Sequence, residues 1–567
     1  MRHLVFLLLL LALASLVSPA WGLNATYYVD PANGNDSWTG ANPSGGGPNG
    51  PWKTINRVMS GSATPTVGPG DKVNFRGGTY AESQYLSGGG ANSPSWGPGS
   101  PKGVSGNPIT IQAAPGEFPK FQHGGTWNRF ISFDNAGDVY VVIKGLEFLN
   151  NAVTMSVNIG NTNYVAIVEC TTRFQKNGSP STAFAHHIVT KNNKFYDIIP
   201  EHANYIAEQT TWYVHDGNYY ERLSYFGLHG NANATYIPPE QSGALTDWIV
   251  RRNTYVNVTG GGTIMTDGLV PITRAYFYNN TFYNDQFMPQ DDPHGISSDG
   301  SWAITFKNGT GRYAAPIIIK NNLTYGWFDQ APFYAMPAIV AANALTLDYN
   351  FWTNIEDAGR IYYWNGAYYG FTAFKGTTGQ DQNGRSGEDP LFSDLAGRTF
   401  TLQPTSPAID KGTPALTTTT SAALTPSTSL PVVDAGPFFD GWGLLDADLI
   451  QIGPPGPTNA PVLISSINYS TKVITLTAPR TWANGAAVGL AYNGTAPDMG
   501  AFESGVAASK RTVYVAQSGG SDANSCDGGI TLPRQTTPGA ASAWMCPARR
   551  SIFVPARMPG STLRTVG

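Results

Sequence analysis

A pattern that recurs about every two dozen residues constrains this chain more than any other feature of it. Apolar residues at alternating positions lead into a turn residue, often Asn, and then into an aromatic or apolar pair. Two instances are Ile188-Val189-Thr190-Lys191-Asn192-Asn193-Lys194-Phe195-Tyr196 and Ala275-Tyr276-Phe277-Tyr278-Asn279-Asn280-Thr281-Phe282-Tyr283. One column of the aligned segments holds Gly145, Cys170, Asn193, Gly217, Asn253, Asn280, Asn322 and Asn350, with enlarged steps before Asn253 and Asn322. A short repeated unit with insertions in some members is the signature of a solenoid. A single coil of short strands cannot bury its apolar face until the next coil stacks on it. Asn suits the turn because it tolerates left-handed backbone and hydrogen-bonds through its amide, so stacked Asn residues can form a ladder. A second column, two places earlier, reads Lys191, His215, Arg251, Tyr278 and Lys320 and is expected to be a solvated polar ladder.

The composition agrees with an all-β solenoid. In 567 residues there are 65 Gly and 41 Pro, and only 13% are charged, a turn-rich profile that excludes helical bundles. The formal net charge of -4 and the lack of any Lys/Arg run exclude nucleic acid as a partner. With only three cysteines, disulfides cannot hold such a chain together. Cys170 reads as a core residue, while Cys526 and Cys546 could pair with each other. Arg2 and His3 precede an apolar run from Leu4 to Val17, with cleavage points after Ala20 or Gly22. That is the layout of a secretory signal, and the run is too short to span a bilayer. The mature chain is therefore expected outside the cytoplasm, secreted, periplasmic or at the cell surface, with no membrane insertion after cleavage, and as a monomer.

Both ends of the repeat region carry recognisable segments. The leading ones are Tyr27-Tyr28-Val29-Asp30-Pro31-Ala32-Asn33-Gly34-Asn35-Asp36, Pro51-Trp52-Lys53-Thr54-Ile55 and Pro69-Gly70-Asp71-Lys72-Val73-Asn74-Phe75-Arg76-Gly77-Gly78-Thr79-Tyr80. The closing ones are Asp389-Pro390-Leu391-Phe392, Ser406-Pro407-Ala408-Ile409-Asp410 and Asp498-Met499-Gly500-Ala501-Phe502-Glu503. In these the chain resembles secreted members of the pectate-lyase-like superfamily over about residues 25 to 504. The resemblance implies a right-handed parallel β-helix and, more loosely, a carbohydrate substrate, since one fold hosts many chemistries.

The expected organisation is a signal at 1–22, a β-helix domain at 23–504 and a disordered tail at 505–567. Within the domain come a leading segment 23–125, coils 126–412, and a closing segment 413–504 that contains a small β-hairpin insertion. The Thr/Ser/Ala-rich stretch Thr413 to Leu430 reads as a mobile loop, and Ala460 to Tyr492 as two or three strands. In the tail, Tyr514 to Asp522 repeats the logic of the leading segment, as though a truncated second module began there.

In the superfamily the strand after the next turn lines the carbohydrate groove. Carrying that geometry over gives groove strands at Ala203 to Glu208, Phe226 to Gly230, Gly262 to Asp267 and Gly295 to Asp299. Aligning Ile206, Leu228, Ile264 and Ile296 stacks Glu208, His229, Asp267 and Asp299 on four consecutive coils. Adjacent loops add Glu201, His202, Asp291, Asp292 and His294. In β-elimination from a uronate polymer, His229 would be the base and Asp267, Asp291, Asp292 and Asp299 ligands for Ca²⁺. In hydrolysis, Asp299 would pair with Asp267 or Asp292 as acid and base. Glu208, His202, His294 and Glu201 would contact the sugar. A rival from another class is a non-catalytic glycan-binding or adhesive solenoid whose polar strip is solvated surface.

Overall fold

The computed structural model describes residues 24–61, 64–80, 95–122, 129–149, 155–174, 180–198, 202–207, 209–231, 245–258, 272–285, 302–306, 313–326, 331–355, 357–456, 459–505, 511–516 and 549–554. The signal region, Cys526 and Cys546 lie outside them.

Alternation in the repeat becomes stacked parallel strands. Thr211–Asp216 pairs with His186–Lys191 from the coil before and with Leu245–Arg251 from the coil after, all in parallel. On the next face Tyr219–Leu223 lies between Lys194–Ile198 and Thr254–Val258 in the same way. Extended along the chain, these pairings build one 15-stranded and one 11-stranded sheet. A third face carries shorter strands: Asn204–Ala207 beside Leu228–Asn231, and further on Ile304–Phe306, Phe333–Ala335 and Tyr362–Trp364. Neighbours in space are one coil apart in sequence. The chain is a parallel β-helix. No helix among the described residues is long and apolar enough to cross a membrane.

The interior is built by columns of like residues. Ile188, Tyr213, Trp248, Ala275, Ile317 and Leu345 occupy one inward register across six strands, and all are buried. On the second sheet Phe195, Tyr220, Tyr255 and Phe282 stack ring on ring at 4.8, 4.7 and 4.9 Å. Rings in this offset stack add to the apolar burial.

The Asn ladder lies in the turn between these two sheets. Asn193 Nδ2 donates to Asn218 Oδ1 (3.0 Å), Asn218 to Asn253 (3.0 Å), Asn253 to Asn280 (3.0 Å), Asn280 to Asn322 (2.9 Å) and Asn322 to Asn350 (2.9 Å). Each backbone N–H beside these amides donates to the same oxygen. The last receiving group is not Asn but Asp381, whose Oδ1 accepts from the Asn350 backbone at 3.1 Å. The sequence column therefore mixed two registers. The residue just before the ladder is the one in left-handed conformation: Gly145, Glu169, Asn192, Gly217, Arg252, Asn279, Asn321 and Tyr349 all have φ between 54° and 71°. Gly145 and Gly217 belong to that set, and Asn218, not Gly217, is the rung.

That one-residue slip also corrects the second column. Paired with Lys191 and Arg251 is Asp216; His215 points inward, where its Nδ1 lies 2.6 Å from Thr190 Oγ1 and its Nε2 2.6 Å from Tyr220 Oη. Nor is the column solvated. Thr417–Thr418, Ala423–Pro431, Leu449–Ile452, Val462–Asn468, Val473–Trp482 and Ala487–Leu490 form a six-stranded antiparallel sheet. It covers the outer face of the first sheet, packing Leu430, Ile450, Ile464 and Ile474 against Val142, Ala166, Val189, Val214 and Ile249. The stretch expected to be a mobile loop at Thr413 to Leu430 is thus in part a strand, paired with Val473–Trp482. Cys170 is buried and free, as the sequence indicated. In the tail, Arg511–Ala516 and Arg549–Val554 pair in parallel.

Candidate functional site

On the third face the register separates what points in from what points out. Leu228 lies in the main core, so the next residue, His229, faces outward, as does Tyr205 opposite it. Yet His229 is only 3% exposed and His202 4%. His202 comes from the turn before Asn204–Ala207 and meets His229 across one coil step, with His229 Nδ1 2.8 Å from His202 Nε2 and ring centroids 4.0 Å apart. Rings roof the pair. Tyr225 lies 4.4 Å from His202, Phe226 5.4 Å from His229, and Tyr205 meets His229 edge-on at 5.2 Å. The roof continues over later coils through Trp302, stacked on Phe226, and through Tyr334 and Tyr363, parallel at 4.1 Å.

Burial sets the charge state of the pair. Removal from water pushes the His229 imidazole down to about 3, and the His202 imidazole, also beside His229, well below its usual value. Both rings are neutral at neutral pH. One ring nitrogen of each is engaged in the mutual hydrogen bond, while the other nitrogen of His229, Nε2, is buried and meets no hydrogen-bond partner among the described residues. Where the bond proton sits on His229 Nδ1, Nε2 presents a lone pair able to take a proton.

Of the nine residues singled out from the sequence, the structure brings together His202 and His229. Glu201, Glu208, Asp267, Asp291, Asp292, His294 and Asp299 lie outside the described residues. Among the described residues no group of three or more His, Cys, Asp or Glu is placed to hold a metal ion. The rings Tyr225, Phe226 and Trp302 take a common location only through the turn geometry that folds them over the His pair.

No family model matches the sequence, and no curated protein matches it. Similar solved structures include pectate lyase Pel9A (14% identity, 85% of this chain and 96% of that one, TM-score 0.39). A rhamnogalacturonan lyase aligns at 12% identity over 66% of this chain and 91% of its own, with TM-score 0.34. The catalytic domain of a GH87 alpha-1,3-glucanase in complex with nigerose aligns at 11% identity over 63% and 69%, with TM-score 0.33.

Proposed function

We propose that this protein acts on an extracellular polysaccharide, and that the outer side of the third face cleaves a uronate-containing polymer by β-elimination. The observation that carries the reading is the neutral His202–His229 pair beneath outward-facing rings, with His229 Nε2 lacking a hydrogen-bond partner among the described residues. In the proposed step the proton on the carbon next to the uronate carboxyl group passes to His229. The electron pair forms the new C=C bond, the glycosidic C–O bond breaks, and the leaving oxygen takes a proton. Asp267 and Asp299 are proposed to flank this centre, Asp291 and Asp292 to hold Ca²⁺ against the substrate carboxylate, and Glu201, Glu208, His202 and His294 to contact the sugar. A carboxylate beside His229 would raise its basicity from the low value that burial alone imposes. Flat rings on the same face offer stacking surfaces for sugar.

Incubation with a panel of uronate polymers tests this through the ultraviolet absorbance of unsaturated products. His229→Ala should abolish that signal while leaving the circular dichroism spectrum unchanged. Reducing-sugar release without the absorbance would assign hydrolysis by Asp299 with Asp267 or Asp292 instead. The burial of both imidazoles favours a second reading, a non-catalytic glycan-binding solenoid in which the pair is structural. Glycan retention without either product would select it.

A further inference from the structure

The turn that carries the Asn ladder also forms an open trough, on a different edge of the solenoid from the His pair. Toward the C-terminal end this turn is roofed. Asn279 Nδ2 donates to the Asp498 carbonyl at 2.9 Å, and Asn321 Nδ2 to the Thr413 carbonyl at 3.0 Å. Earlier coils carry no such roof among the described residues, and two clefts of about 790 and 710 Å³ lie there. Both are lined by Asn192 and Lys194, so they adjoin along the same trough. Its floor follows Gly145, Asn192 and Gly217, and it ends against Arg398 and Phe502 of the closing segment.

Three observations define what such a trough can hold. Its groups recur at the coil rise: the five left-handed positions from Gly145 to Arg252 are stacked about 4.8 Å apart, so the floor spans about 20 Å. Its charges are balanced and paired, with six cationic and five anionic side chains in the lining, Lys144 3.5 Å from Glu169 and Arg173 3.3 Å from Glu147. Paired charges give no net field to hold a polyanion, yet they present strong acceptors and donors to hydroxyl groups. Finally, two half-buried rings, Tyr196 and Tyr219, lie 5.8 Å apart on the wall of the second cleft, with the Arg173 guanidinium over one face of Tyr196 at 4.3 Å and the Tyr219 hydroxyl fixed by a 3.0 Å bond to Glu221 Oε2. Regularly spaced polar pairs beside aromatic faces match an extended chain of hydroxyl-rich rings.

We propose that this trough is a second glycan-binding site, selective for an uncharged, extended polysaccharide and separate from the third face. It would tether the protein to a neutral polymer whatever the third face does. The test uses the full chain in calorimetric titrations with cellohexaose, mannohexaose, xylohexaose and laminarihexaose, and with hexagalacturonate as the charged comparison. At least one neutral hexasaccharide should bind. Tyr196→Ala combined with Tyr219→Ala should weaken it about tenfold. Glu169→Arg, on a wall residue that is half exposed and outside the core, should also weaken it, guarding against a fold effect of the double variant. His229→Ala should leave it unchanged, which separates this site from the proposed catalytic one. The proposal is overturned if no neutral hexasaccharide binds, if both trough variants bind as the parent does, if His229→Ala removes the binding, or if hexagalacturonate is the ligand lost in the trough variants.

Discussion

Asp381 shows how much one atom can decide. It closes the Asn ladder, and both its oxygens must accept: Oδ1 from the Asn350 backbone, Oδ2 from Trp352 Nε1 at 2.7 Å and from the Tyr362 hydroxyl at 2.7 Å. An Asn here would aim an NH₂ at the indole N–H. Asp381→Asn, although isosteric and neutral, should therefore cost about 1–3 kcal/mol in denaturant unfolding. Burial raises this carboxyl to about 6, above the roughly 3.9 of an unfolded Asp. Its contribution is complete below that unfolded value and declines as pH rises through about 6, where the carboxyl ionises and both oxygens become acceptors, so the parent itself should lose stability from pH 4 to pH 7. The buried imidazoles act on the opposite side. His215 and His229 are each lowered by burial to about 3, so their contribution is complete above the unfolded value of roughly 6.5 and is lost as pH falls toward about 3. The thermal midpoint should drop on acidification through this window, and less steeply in His229→Gln; equal slopes would mean that His229 is not buried as a neutral ring.

Among the elements, the docking of the antiparallel sheet rests on a buried ionic contact. Arg251 is fully buried, donating to Asp448 Oδ1 at 2.6 Å and to Asp216 Oδ2 at 3.1 Å, while Arg252 Nε reaches Asp216 Oδ1 at 2.7 Å. Burial alone would raise the Asp216 carboxyl, but Arg251 and Arg252 hold it well below the usual range. Arg251→Leu leaves two buried carboxylates short of a partner and should destabilise the fold by about 3–5 kcal/mol, with hydrogen exchange rising first in strands 449–452 and 462–468. Protection unchanged in those strands would show that apolar packing alone holds the sheet. This contact was not legible in the sequence. The period was, because alternation and turn chemistry are local; the register within the turn was not, because Gly217 and Asn218 both suit it and only the next coil's amide distinguishes them. Asp216 was missed for that reason, and Asp448, distant in order, had no local signal at all.

At the scale of the whole molecule, the solenoid gains stability coil by coil, but one of its faces is apolar on the outside and depends on what covers it. Val142, Ala166, Val189, Val214 and Ile249 would meet water without the antiparallel sheet. Replacing residues 417–490 by a short Gly/Ser linker should therefore yield a chain that self-associates in size-exclusion chromatography and melts at lower temperature; a monomer with an unchanged midpoint would refute this. The sequence indicated strands in this region but not their task, since a hairpin's pattern does not say which surface it will cover. Of the candidate site, His202 and His229 were singled out in the sequence, but the alignment of Ile206 with Leu228 was two residues out, since Ile206 pairs with Gly230 and Leu228 with Asn204; the aromatic roof depends on turns whose path no repeat dictates. The amide ladder, finally, has an orientation. Every rung hands its backbone N–H and one amide hydrogen toward the C-terminal end, the same amide also donating back to a main-chain carbonyl of an earlier coil, so the side-chain stack needs an acceptor at that end and nothing special at the other. New coils can be spliced in ahead of Asp381 without disturbing the hydrogen-bond balance, whereas one added behind it would meet a terminus that has no hydrogen left to give.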